Sequence, residues 1–140
     1  MIQRVQTLYL LAVAILAATA CFFPFATIDG EALRLSLSSN MLIPPAVLSA
    51  LIPAISFASI FLYRKRILQM RVNSFNMVLM LFLAASLAFI VYWTHKQLPE
   101  AAVRISWPCI VPLINLILTY LAIRRIGIDE AMVQAADRLR

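Results

Sequence analysis

Charge is scarce in this chain. Only 13% of its 140 residues are Asp, Glu, Lys or Arg, and 64% are apolar, whereas soluble domains run near a quarter and a half. A soluble fold of this length buries only about two-thirds of the surface its unfolded chain exposes, so water is the wrong solvent for the excess. Glycine is nearly absent, with two residues, which excludes collagen-like and flexible low-complexity sequence. There are two cysteines, one histidine and six acids. The acids Asp29, Glu31, Glu100, Asp129, Glu130 and Asp137 show no metal-ligand spacing. HExxH, GxSxG, CxxC and glycine-rich phosphate-loop patterns are all missing. His95 has no nucleophile in sequence reach and reads as an interfacial side chain. The chain is therefore expected to be non-enzymatic, with no catalytic residue, cofactor or metal.

What is abundant is long apolar sequence. Four stretches, at about 5–25, 41–63, 74–94 and 105–123, are each close to the ~20 residues that cross ~30 Å of hydrocarbon. Helices are required, because an open strand in lipid leaves backbone groups without partners. The expected fold is all-α: a four-helix transmembrane bundle with short loops over 1–126, followed by a short amphipathic helix over 127–140. Ala18-Thr19-Ala20 resembles a signal cleavage site and Ala20-Cys21 a lipoprotein site, but apolar sequence continues through Phe22-Phe23-Pro24-Phe25. The first stretch is expected to be retained as a span.

The basic residues set an orientation. Arg4, Arg64, Lys65, Arg66, Arg71, Arg124, Arg125, Arg138 and Arg140 fall on one side, and Arg34, Lys96 and Arg104 on the other. By the positive-inside rule the first side is the cytoplasm. This places both termini there. The net charge of +6 then points to the anionic leaflet, not to nucleic acid.

The loops and spans carry some finer signals. Asp29-Gly30 is a type I′ turn signal, and the residues after it alternate through Leu33-Arg34-Leu35-Ser36-Leu37-Ser38. A hairpin is expected, resting on the helices because a lone one is marginal in water. The loop 95–104 is expected to be a simple connection. Pro44, Pro45 and Pro108 fall near helix ends, while Pro53 and Pro112 are expected to kink their helices. The second span bears Ala46, Ala50, Ala54 and Ala58, and the third Ala84 and Ala88. Such small-residue faces let helices approach closely. Packing within the monomer is the preferred reading, and docking of another membrane protein or a second copy is the alternative. No charge lies within a span. Asn115 reads as the only strongly polar side chain well inside, bonding to a neighbouring helix. Cys21 and Cys109 both fall near the outer surface; they read as two small buried hydrophobes, with a disulfide the alternative in an oxidising compartment.

In the tail, Ile128, Met132, Ala135, Ala136 and Leu139 recur with helical period. Asp129 and Glu130 open this segment and Arg138 and Arg140 close it, which complements the helix dipole. Two readings stand level: a helix lying on the membrane surface, and a handle for a cytoplasmic protein partner.

The opening Met1-Ile2-Gln3-Arg4-Val5-Gln6, the inner-loop Tyr63-Arg64-Lys65-Arg66 through Arg71, and the closing Asp137-Arg138-Leu139-Arg140 together resemble a family of small four-span membrane proteins of unknown function from Bacteroidetes. The resemblance implies an inner-membrane location and no activity. It also implies a shared cytoplasmic role for Gln3, Arg4, Gln6 and the closing four residues. The expected function is a membrane subunit or scaffold that works through helix packing and its two ends. The rival is a small oligomeric carrier or channel for a neutral or hydrophobic solute, motivated by Pro53, Pro112 and Asn115.

Overall fold

The computed structural model describes residues 2–33 and 40–139; of 2–4 and 33 it describes the backbone alone. Leu35 to Ser38 and Arg140 lie outside the described residues, as does Arg34. Four helices dominate: α1 (Ile2–Phe22), α2 (Ile43–Ile60), α3 (Arg66–Gln97) and α4 (Val111–Arg138). Each packs on its neighbours in sequence, and α1 closes the ring against α4. All four are long and apolar enough to cross a membrane.

The packing is inverted relative to a water-soluble bundle. No more than 33% of any of the four apolar windows is buried inside the protein. Leu8, Ile15, Phe57, Phe82, Ile117 and Tyr120 are each more than half exposed. A surface this apolar all round is stable only against hydrocarbon. What lies inside is a slim core of Val13, Ala17, Ile52, Met80, Leu83, Leu87 and Ile90, together with a row of polar side chains.

At one end of the bundle the chain forms a small sheet. Strand β1 (Ala26–Ile28) pairs antiparallel with β2 (Glu31–Leu33). Asp29 and Gly30 both hold positive φ, at 50° and 88°, the geometry of a type I′ turn. The hairpin expected from Asp29-Gly30 is present, with its first strand beginning at Ala26. The loop 95–104 is not the simple connection expected: Val103–Ile105 forms β3 on the other side of β1, giving the order β2-β1-β3. Asp29 fastens this third strand. Its N–H donates to the Ala102 carbonyl at 3.2 Å, and its carboxylate accepts from the Ala102 N–H at 2.9 Å. Buried Phe25 and Ala26 root the sheet in the core.

Two helices run further than the apolar stretches suggest. At 1.5 Å per residue, the 32 residues of α3 span about 48 Å, well past a ~30 Å hydrocarbon layer. The helix begins at Arg66, not near residue 74. The fourth span begins at Val111, after β3 and a 3₁₀ turn, η1 (Trp107–Cys109). Pro112 therefore sits in the first turn of α4, where no intrahelical N–H is needed, and not in its interior as expected. Nor does α4 stop at Gly127. It passes through that residue, where even a Cβ would meet only Met70 Sδ at 3.8 Å, and continues to Arg138. The tail is one helix with the fourth span.

Candidate functional site

The polar row inside the bundle meets carbonyls of α2 at three levels. Pro53 lies inside that helix and has no N–H to give to the carbonyl four residues back, which is Ser49. The Cys21 thiol of α1 donates to that carbonyl at 3.0 Å. One turn on, the Asn76 amide of α3 donates to Ser56 Oγ at 2.7 Å and to the Ile52 carbonyl at 3.4 Å. At the end of α2 the Ser59 carbonyl accepts from the Leu62 N–H at 3.1 Å and from the Gln69 amide at 3.0 Å. Asn73 donates to the Gln69 carbonyl at 3.0 Å. Further along α4, the Thr119 hydroxyl lies 3.8 Å from Met80 Sδ. Gln69, Asn73, Asn76, Asn115 and Thr119 are all buried.

Asn115 is therefore buried as expected, but it is not alone. Gln69 and Asn73 lie before the expected start of the third span at 74, and Asn76 lies within it. Their spacing of four and three residues, continuing to Met80, was the available signal: it is a helical stripe. Among the described residues, the side-chain oxygens of Asn73, Asn76 and Asn115 have no hydrogen-bond partner.

The alanine face is a correction. Ala46 is half-buried, and Ala50, Ala54 and Ala58 are exposed, so this row does not form the inward face of α2. The inward face of α2 is Pro45, Ser49, Ile52, Ser56 and Ser59. On α3, Ala84 is half-buried and Ala88 exposed. Both line an apolar groove of about 480 Å³ beside Tyr92, His95, Cys109 and Leu113. Cys21 and Cys109 are free thiols, and burial raises the pKa of the Cys109 thiol.

At the end away from the sheet, the structure joins residues far apart in sequence. Gln6 of α1 donates through Nε2 to Asp129 Oδ2 of α4, both side chains buried. Next to this pair, Arg66 Nη1 of α3 lies 3.7 Å from Glu130 Oε2. The start of α1, the start of α3 and the tail are thus tied at one level. Gln3 and Arg4 belong to α1, but their side chains are outside the described residues. Asp137 and Arg138 are exposed and lie beyond the tie. Arg64, Lys65, Arg71, Arg124 and Arg125 surround it, all exposed. Every residue from 131 to 139 is exposed, with Met132 at 58%, Val133 at 43% and Leu139 at 90%.

No curated protein and no solved structure matches the chain. A family described as Domain of unknown function (DUF4293) matches residues 2–139. With its whole four-helix architecture inside that match, the chain belongs to this family of unknown function.

Proposed function

We propose that this protein is a non-enzymatic subunit or scaffold of a bacterial inner membrane, with both ends in the cytoplasm and a protein partner bound by its tail. The observation that carries this reading is the continuity of α4. A helix that leaves the bilayer along the axis of its span cannot lay an apolar face on the lipid surface. Twenty residues from Val111 cover about 30 Å. The rest of α4, which ends at Arg138, then projects about 12 Å beyond the hydrocarbon. Met132, Val133 and Leu139 stand in water there unless a protein covers them. The arginine-rich rim around the tie supports a cytoplasmic placement of that end.

Ending the chain after Glu130 tests the proposal, because it spares the Gln6–Asp129 and Arg66–Glu130 contacts. The truncated bundle should melt within about 2 °C of the full chain, since changes at exposed residues alter stability by under about 0.5 kcal/mol and 1 kcal/mol moves the midpoint of a chain this size by about 2–4 °C. The complex extracted from native membranes in mild detergent should shrink by the mass of a partner. A full-length protein that already migrates as a free single chain would defeat the reading. A second reading, a passage for a neutral solute, draws on the buried asparagines; solute uptake by proteoliposomes separates the two.

A further inference from the structure

A small cavity lies between all four helices near the sheet end. It is lined by Ala17 and Cys21 of α1, Ser49 of α2, Met80 and Leu87 of α3, and Asn115 of α4, among others. Its free interior is about 20 Å³, and one water needs at least roughly 10–15 Å³. Apolar cavities of this kind stay dry, but this one is not wholly apolar. Asn115 is 1% exposed and its side-chain oxygen has no partner. In lipid there is no solvent outside to satisfy it. The Ser49 hydroxyl spends its proton on the Ala46 carbonyl at 2.7 Å, so its oxygen remains an acceptor. Pro108 and Pro112 also line the space.

Ser49 Oγ and Asn115 Oδ1 thus offer two acceptors on this wall, which contains no charged side chain. We propose that this cavity is a binding site for one small uncharged hydrogen-bond donor, a water molecule, held between Ser49 Oγ and Asn115 Oδ1. The two residues belong to α2 and α4, which face each other across the ring. The water bridges helices that the sequential packing does not join. A cation is disfavoured because no carboxylate offsets its lost hydration.

The test uses the full-length protein, isotopically labelled, in lipid bilayers. Polarisation transfer from water protons to the Asn115 side-chain carbon is measured by solid-state NMR. Phe82, which faces outward from α3, serves as the dry reference and Thr27 of the sheet as the wet one. Transfer to Asn115 should approach the rate at Thr27 and be several-fold faster than at Phe82. A rate equal to that at Phe82 overturns the proposal. Melting is also compared in sodium, potassium and choline chloride at equal ionic strength. It should be the same in all three, and a rise specific to sodium or potassium would assign the cavity to an ion and overturn the water.

Discussion

Replacing Gln6 with leucine should destabilise the bundle by about 1.5–3 kcal/mol, the range for a hydrogen bond to a charged group. Asp129 is 6% exposed, so water cannot readily take the place of the Gln6 amide, which donates to its carboxylate. The reverse change, Asp129→Leu, strands a neutral amide instead of a carboxylate and should cost about 1–2 kcal/mol. The double variant removes both polar groups and should lie closer to the parent than Gln6→Leu does, because the cost comes from the stranded partner. Thermal unfolding in detergent micelles orders the three. If the two single changes added in the double variant, the contact would not be coupling the two ends of the chain.

Ser56→Leu should have an effect of similar size, about 3 kcal/mol or more, because forcing extra methylenes into a filled contact costs 1–3 kcal/mol and here a hydrogen bond is lost as well. Ser56 is fully buried between α2 and α3 and accepts from Asn76. Two residues away, Ala54→Leu places the same side chain on an exposed face and should change stability by less than about 0.5 kcal/mol. The pair separates the two faces of α2 in one unfolding experiment. Equal losses in both variants would mean that the alanine face, and not the serine face, meets the bundle.

That contrast also explains what could be read from the sequence. The number of helices was legible because hydrocarbon demands long uncharged runs, and this chain has four. Which face of α2 turns inward was legible in principle but is masked by chemistry, since serine and alanine are both small. The spacing decides. Ala46, Ala50, Ala54 and Ala58 recur every four residues, so each step drifts about 40° around the helix and the row leaves any one neighbour within three turns. Pro45, Ser49, Ile52, Ser56 and Ser59 alternate four and three, the repeat that keeps a seam facing its partner.

Asn73 and Gln69 hid for a related reason. Hydropathy charges a polar residue as if it met lipid, but Gln69 bonds to a carbonyl of α2 and Asn73 to a carbonyl of its own helix. β3 is three residues long and depends on Asp29 reaching Ala102, a contact no local pattern announces. The Gln6–Asp129 tie joins positions 123 residues apart; topology brought both to one end of the bundle, but only packing brought them into contact.

In the proposed topology four crossings return both ends of the chain to the arginine-rich side. Single cysteines introduced at Gln134 in the exposed tail and at Thr27 in the sheet, in a background lacking Cys21 and Cys109, measure this in intact cells with a membrane-impermeant thiol reagent. Thr27→Cys should label from outside and Gln134→Cys only after the membrane is opened. Labelling of both from outside would contradict the account.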